Sequence, residues 1–171
     1  ENDIKPYIFP SKRELIKNKV KASYLGNFVP WDVKEQVKII KRELDWQGDV
    51  VEGIPEDYDY EKIECMMQGS RDFVKFLKRG FGRTTHLTSI DIRNNRMSRE
   101  KAIDLAKVYD GKKPKSLNIL LKILKISEDE FYDIVKKHVV SPHQPMSKKE
   151  FKNSSSNIVP GDFEDWKSKF K

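Results

Sequence analysis

The sequence predicts an α+β fold that is predominantly helical, with one or two strands near the N-terminus followed by five or six helices. Three observations favour this class: a short β-prone segment precedes Pro30, helix-capping side chains open several segments, and apolar residues elsewhere recur at helical spacing. Hydrophobic residues make up 37% of the 171 residues and charged residues 36%, so the core is expected to be thin. We assign residues 1–140 to a folded part and residues 141–171 to an extended or poorly ordered tail.

The N-terminal elements are predicted to be a strand and a helix. Lys21 to Val29 contains Tyr, Leu, Phe and Val and is the strand candidate. Asp32 and Glu35 have the spacing of a capping box, which predicts a helix that runs to the turn at Gly48. The acidic stretch that follows contains glycine and proline and is expected to be a loop.

A longer helix is predicted from Tyr60 to Arg79, with Gly69 as a candidate kink and Gly80 at its end. A polar connection follows it. Three short helices are then expected: Arg99 to Tyr109 capped by Ser98, a leucine-rich helix after Pro114, and a helix opened by Ser127 and Glu130 that buries Phe131, Ile134 and Val135. In the tail, the spacing of Phe163, Trp166 and Phe170 fits one helical face that could dock onto a neighbour.

Charge is distributed unevenly along the chain. Residues 49–65 hold seven acids and one base, whereas residues 71–101 hold nine bases and three acids. A basic segment of this kind either faces an anion or forms a solvated charged surface, and the sequence leaves both interpretations open.

The candidate binding residues lie in the basic segment. Gly80 and Gly82 allow a ligand to approach the backbone closely, and cations with hydroxyl donors around them suit a phosphate or diphosphate. Lysines at a helix end also complement the helix dipole, which is the alternative for Lys78. The residues expected to bind phosphate or sugar are Lys75, Lys78, Arg83, Thr84, Asp91 and Arg93.

Three weaker candidates lie outside that set. Gln68 shares a helical face with Asp72 and could point into the same pocket as Lys75, or could be solvated. Trp31 and Asp32 join the strand end to a helix start, the usual ligand side of a parallel α/β sheet, although the capping role of Asp32 already suffices.

Several classes of site are excluded by the sequence. Cys65 and three widely separated histidines lack the spacing of a metal site, and no nucleotide-binding, serine hydrolase or metalloprotease motif occurs. No catalytic residue is assigned. No apolar run is long enough to cross a membrane, so we expect no membrane partner. The single cysteine cannot form an internal disulfide, so we expect a reducing, cytoplasmic setting.

Four stretches together resemble the C-terminal part of N-acetyl sugar amidotransferases, enzymes of the pyrophosphate-loop ATP pyrophosphatase type from surface-polysaccharide and nonulosonic acid biosynthesis. They are YIFPSKRELI, SYLGNFVPWD, QGSRDFVKFLKRGFGRTTHLTSIDIRNNRMSREKAIDL and YDGKKPKSLNILLKILKISEDEFYDIV. The resemblance runs from about Pro6 to Val139, and Gln68 to Glu100 is its most specific part. It implies that the chain is the C-terminal portion of a larger α/β enzyme.

The resemblance also implies a reaction and its partners. The complete enzyme would use ATP with Mg²⁺ to convert the N-acetyl group of a sugar nucleotide into an acetamidino group in lipopolysaccharide (LPS) biosynthesis. Ammonia would come from glutaminase and ammonia-channel subunits of the histidine-biosynthesis type. The pyrophosphate loop belongs to an N-terminal half that this sequence does not contain, so we expect the chain alone to bind no ATP and to be inactive. A homo-oligomer is left open.

Two alternatives from other classes remain. The stretch SREKAIDLAKVYDGKKPKSLNILLKILKISEDEF also looks like the closing helices of a repressor-type helix-turn-helix domain, and the net charge of +7 suits DNA binding. A helix-turn-helix domain that recognises DNA sequence needs two helices before Gly111, and the sequence offers one. Nucleic acid is therefore not the preferred partner. The other alternative is an interaction module that docks through its tail.

Overall fold

The computed structural model describes residues 4–156, and this range contains eight α-helices and no β-strand. The helices are α1 (Lys12–Lys17), α2 (Val33–Leu44), α3 (Gln68–Arg79), α4 (Arg83–Arg93), α5 (Arg99–Tyr109), α6 (Ser116–Leu124), α7 (Glu128–Lys136) and α8 (Lys148–Asn153). Short 3₁₀ turns lie at Lys5–Tyr7, Leu25–Asn27 and Glu56–Tyr58. The chain divides into two compact units, residues 1–46 and residues 47–171.

The predicted α+β class is wrong, because the N-terminal strand does not form. Residues 21–29 instead hold the 3₁₀ turn at Leu25–Asn27. A strand is stabilised by pairing and by packing on one face of a sheet, and the described residues offer no second strand as a partner. The β-prone side chains are exposed accordingly, with Tyr24 83% and Phe28 75% accessible.

The first unit contains α1 and α2, whose ends follow the sequence signals. Ser11 and Glu14 form a reciprocal capping box at the start of α1. The predicted cap of α2 is confirmed, since the Asp32 carboxylate accepts the backbone N–H groups of Lys34 and Glu35. This helix ends at Leu44, earlier than the predicted turn at Gly48, and neither helix has a buried residue.

In the second unit, α3 begins at Gln68 rather than at Tyr60 and ends at Gly80, whose φ of 78° is the left-handed conformation that glycine adopts readily. The predicted polar connection after Gly82 is helix α4. Hydropathy misses this helix because most of its buried residues are polar; they are Thr84, Leu87, Thr88 and Asp91. The three short helices predicted after it are confirmed as α5, α6 and α7.

Two apolar clusters hold the second unit together. The larger one joins α3, α6, α7 and α8 through Phe73, Leu77, Leu117, Leu121, Phe131, Tyr132, Val135 and Phe151. The smaller one packs Leu87 of α4 against Val51, Ile54 and Tyr58 from the acidic segment. Ile134, predicted to be buried, is 46% exposed, and Tyr132 of α7 lies in the core instead.

The segment after Ser141, expected to be extended or poorly ordered, includes helix α8. Ser147 and Glu150 form a capping box at its start, and Phe151 has no exposed surface. The Phe151 ring lies 5.1 Å from Tyr132 and 6.0 Å from Phe73, measured between ring centroids. The predicted aromatic face at Phe163, Trp166 and Phe170 lies outside the described residues. Between residues 4 and 156, no helix is long and apolar enough to cross a membrane.

Candidate functional site

The glycine-rich turn between α3 and α4 holds a carboxylate of the chain itself. Asp110 accepts hydrogen bonds from the backbone N–H groups of Gly82 (2.9 Å), Thr84 (3.0 Å) and Thr85 (3.2 Å), and from the Thr85 hydroxyl (2.6 Å). A carboxylate here satisfies the free donors at the start of α4 and complements its dipole. A Cβ at Gly82 would overlap Asp110 Oδ1, so this glycine makes room for the cap. At Gly82, where a ligand was expected to approach the backbone closely, the backbone thus binds Asp110 instead.

Arg83 links three segments of the unit by ion pairs. Its Nη2 lies 3.0 Å from Asp72 Oδ1 on α3, and its Nη1 lies 3.2 Å from Glu61 Oε1 in the acidic segment. The side chain is 16% exposed. Arg83 thus connects α4 by ion pairs to α3 and to the acidic segment. A phosphate would have to compete with the carboxylates of Asp72 and Glu61 for the Arg83 guanidinium group.

Gln68 is oriented by the same network. Its Nε2 donates to Asp72 Oδ2 (2.8 Å), and Arg83 donates to both oxygens of Asp72. Gln68 is 2% exposed, and its Oε1 has no hydrogen-bond partner among the described residues. The residue lines a small pocket, called the hollow below, together with Asp49, Glu52, Lys62 and Cys65.

Glu52 lines that hollow and a neighbouring one, and it was not predicted from the sequence. Glu52 is 3% exposed, and its carboxylate accepts the backbone N–H groups of Lys115 (2.6 Å) and Ser116 (3.2 Å), so it caps α6 from a distant segment. Burial raises the pKa of Glu52 above its usual 4.5, against the lowering effect of these hydrogen bonds. No local pattern reveals such a cap, because the residue and the helix it caps are 63 positions apart.

Basic side chains from α3 and α4 form a group that we call the basic corner, composed of Lys75, Arg83, His86 and Arg93, in which the charges of the other three residues act on the His86 imidazole. The Lys75 ammonium lies 4.5 Å from the centroid of the Phe81 ring. Burial lowers the pKa of Lys75, and the nearby positive charge of Arg83 lowers it further. Burial likewise lowers the pKa of His86, followed by the charges of Lys75 and Arg83, while Glu61 opposes the shift. His86 and Arg93 are exposed.

Asp91 lies in a separate buried network on α4. The residue is 2% exposed, and its carboxylate accepts the Tyr58 hydroxyl at 2.8 Å and Arg96 Nε at 2.9 Å. Burial, with the Asp91 carboxylate, raises the pKa of Tyr58. Asp91, a candidate binding residue, thus forms a buried ion pair with Arg96.

The other predicted residues occupy varied environments. Thr84 is fully buried, and its Oγ1 has no partner among residues 4–156. Lys78 is half-buried, and its carbonyl accepts the backbone N–H of Val140. In the first unit, Trp31 is 65% exposed and Asp32 caps α2. The described part of the chain shows no group of three or more His, Cys, Asp or Glu that could hold a metal ion.

Residues 52–167 match the family model described as LPS biosynthesis protein WbpG-like, C-terminal domain. No curated protein matches the chain. The family match confirms the resemblance to the C-terminal part of an LPS-biosynthesis protein of the amidotransferase type, and it extends beyond Val139 into the segment that contains α8. It gives no support to the DNA-binding alternative. The chain belongs to the WbpG-like family of LPS biosynthesis proteins, of which it carries the C-terminal domain.

Proposed function

We propose that this chain supplies the sugar side of the active site in an ATP-dependent N-acetyl sugar amidotransferase. In this reaction ammonia, derived from glutamine by the partner subunits, replaces the oxygen of the sugar's acetamido group. ATP, bound with Mg²⁺ by the pyrophosphate-loop half, would take up that oxygen as AMP and release pyrophosphate. The product is an acetamidino sugar nucleotide for LPS biosynthesis. Support comes from the family match over residues 52–167.

The observation that carries the site assignment is the basic corner. Lys75 lies on α3 and His86 lies on α4. The positive charge of Arg83 lowers the pKa of both side chains, and the charge of Lys75 lowers the pKa of His86. Bringing like charges together opposes folding unless an anion or a nearby acid compensates them. Glu61 and Asp72 form ion pairs with Arg83. Lys75 and Arg93 form no ion pair among the described residues and are the cations offered to a ligand, although Asp72 and Asp110 partly offset the positive charges around Lys75.

The roles proposed for individual residues follow from these contacts. Lys75 would bind the diphosphate of the sugar nucleotide as a point charge, and Arg93 would add a second cation at the exposed edge. Arg83 would act as a positioning residue that holds α4 against α3 through Asp72. Preorganised cations of this kind stabilise charge without reorganising during the reaction.

The first test is binding of UDP to the full chain and to Lys75→Met, with Lys122→Met as the matched control on the exposed side of α6. We expect Lys75→Met to weaken UDP binding about tenfold, the effect of losing one charge-assisted contact, and Lys122→Met to leave it unchanged. Equal affinity in both variants and in the wild type would contradict the assignment of the basic corner.

The second test follows the reaction in the complete enzyme, with the pyrophosphate-loop half present and an ammonium salt as the nitrogen source. We expect AMP and an acetamidino product from a UDP-N-acetyl sugar, detected by mass spectrometry and ³¹P NMR. Lys75→Met should raise KM for the sugar nucleotide more than KM for ATP. Failure to form an amidine from any N-acetyl sugar nucleotide would refute the proposed reaction.

A further inference from the structure

The first unit exposes many large apolar side chains. We call its described residues, 4–46, the N-terminal arm. Neither of its helices, α1 and α2, contains a buried residue. Tyr7 and Phe9 are 85% and 81% accessible, and Trp31 and Leu44 are exposed as well. Apolar surface left open on this scale marks a site of interaction.

Helix α2 has the residue pattern of a helix that packs against a core. Its apolar residues recur every three or four positions and form one stripe, composed of Val33, Val37, Ile40 and Leu44. The charged residues of the helix lie outside this stripe, and none of the four apolar residues is buried. A helix of 12 residues without tertiary packing is only marginally stable in water. A surface that covers the stripe would therefore stabilise α2.

Two observations indicate which surface covers the arm. The family match begins at residue 52 and describes a C-terminal domain, so the arm lies between this domain and the part of the protein that precedes it. A partner in the same polypeptide is present at a high effective concentration. In addition, residues 4–46 hold ten lysines and arginines against five acids. A second copy of the arm would bring like charges together, whereas an apolar face bordered by acids would complement it.

We propose that the N-terminal arm is the surface that binds the preceding domain of the complete protein, on an apolar face bordered by acidic side chains. The stripe of α2 and the exposed aromatic residues supply the apolar contact, and the basic residues of the arm pair with the acids at its edge. The inference rests on the proposed function only in identifying that domain with the ATP-binding half.

Hydrogen exchange measured by mass spectrometry, on the complete protein and on this chain alone, tests the docking without any substrate. We expect the amides of α2 to exchange about a hundredfold more slowly in the complete protein, because docking suppresses local opening of this helix. The amides of α6, which buries Leu117 and Ile119 in the second unit, are the internal control and should exchange alike in both proteins. Equal exchange of α2 in both proteins would overturn the inference.

Two adjacent isoleucines of α2 provide a matched pair of substitutions. Ile40 belongs to the apolar stripe. Ile39 lies outside it, and its neighbours one turn away are the charged residues Glu35, Arg42 and Glu43. In the complete protein, Ile40→Lys should abolish the slow exchange of α2, and Ile39→Lys should retain most of it. Neither isoleucine is buried in the chain alone, so both variants of the chain alone should unfold at the urea midpoint of the wild type.

The remaining outcomes separate other occupants and the proposed function from this inference. A lower urea midpoint for Ile40→Lys in the chain alone would show that this chain covers its own stripe, and dimerisation of the chain that Ile40→Lys abolishes would assign the stripe to a second copy. Either result overturns the inference. Slow exchange of α2 in a complete protein that forms no amidine supports the inference while the proposed function fails. Amidine formation by a complete protein whose α2 exchanges as in the chain alone does the reverse.

Discussion

At the residue scale, two buried or half-buried carboxylates cap helices to which they do not belong. Asp110, which follows α5, caps α4, and Glu52 from the acidic segment caps α6. Neither helix has a side-chain cap of its own. Each carboxylate satisfies backbone donors that burial would otherwise leave unmet, and each joins two segments that are far apart in sequence.

Glu52 should make stability depend on pH in a direction opposite to that of the exposed capping glutamates. Its folded-state pKa is raised by burial, so the folded chain binds the proton more tightly than the unfolded chain. The contribution of Glu52 therefore favours folding more strongly as pH falls from above the folded pKa to below the usual 4.5. In Glu52→Gln this contribution is absent.

Urea denaturation of the wild type and Glu52→Gln across this pH range measures the effect. We expect the free energy of unfolding of the wild type to rise relative to the variant on acidification. Exposed carboxylates with lowered pKa values, such as Glu150, act in the opposite direction but are common to both proteins and cancel in the difference. A difference that stays constant with pH would refute the prediction.

His86 should report on anion binding at the basic corner. Burial lowers its pKa first, the charges of Lys75, Arg83 and Arg93 lower it further, and Glu61 opposes them. A bound diphosphate would offset these cations, so the His86 pKa should rise when UDP is present. Because binding then takes up a proton, UDP affinity should increase as pH falls through the range between the two pKa values.

NMR titration of the imidazole signals with and without UDP tests this, with the exposed His138 after α7 as the control signal. Lys75→Met should raise the pKa of ligand-free His86 and reduce the further rise caused by UDP. If UDP binds while the His86 titration stays the same, the anion lies elsewhere.

At the element scale, α4 shows why a buried helix can escape a hydropathy reading. Its inward positions Thr84, Thr88 and Asp91 repeat at helical spacing, but they are polar and would not be counted as a core stripe. Its first turn lacks a local capping residue, since Gly82 precedes it. The helix is stabilised instead by Asp110 and by the packing of Leu87 in the smaller apolar cluster.

Removing the cap should destabilise α4 and the domain with it. Asp110→Ala leaves the N–H groups of Gly82, Thr84 and Thr85 without their acceptor, and we expect a loss of about 2 kcal/mol in the free energy of unfolding. Asp133→Ala, on the exposed side of α7, is the control and should change it by less than about 0.5 kcal/mol. Chemical denaturation compares the two variants.

Gly82→Ala should act through the same cap, because its Cβ would displace the Asp110 carboxylate. The double variant with Asp110→Ala should therefore lose little more stability than the worse of the two single variants. Additive losses would show that Gly82 has a role apart from the cap.

At the scale of the whole molecule, the segment after Ser141 packs into the core of the second unit, although its composition suggests a linker. Phe151 of α8 packs between Phe73, Phe131 and Tyr132. The residues after the helix continue the attachment: Ser154 Oγ accepts the N–H of Lys113 and donates to the Gly111 carbonyl. Ser156 is buried, and its N–H donates to the Lys113 carbonyl.

A chain that ends at Val140 should therefore be far less stable than the full chain. It would lose Phe151 from the centre of the larger cluster, and the removal of a buried phenylalanine alone costs about 3–5 kcal/mol, a large part of the stability of a small domain. Thermal and urea denaturation measure the loss. Phe151→Ala in the full chain should reproduce much of it, whereas Phe28→Ala, at a residue 75% exposed, should not. A chain ending at Val140 that is as stable as the full chain would contradict this prediction.

The sequence by itself determined the elements whose signals are local. Ser98 caps α5, Asp32 caps α2, Ser127 and Glu130 form a capping box at the start of α7, and Gly80 ends α3. Each of these signals involves residues within one helical turn of each other, so the sequence alone reveals it. The family resemblance could also be read from the chain, since it rests on the order of residues and not on their contacts.

Only the tertiary structure decided what covers each element and which charges remain available. Residues 21–29 have the composition of a strand but no strand to pair with among the described residues, so their backbone turns instead. Glu52 and Asp110 become caps, and Arg83 becomes an internal tie, through partners that lie 11 to 63 positions away. Burial and long-range pairing depend on the whole packed chain, because the desolvation of a charge is compensated only by groups that folding brings to it.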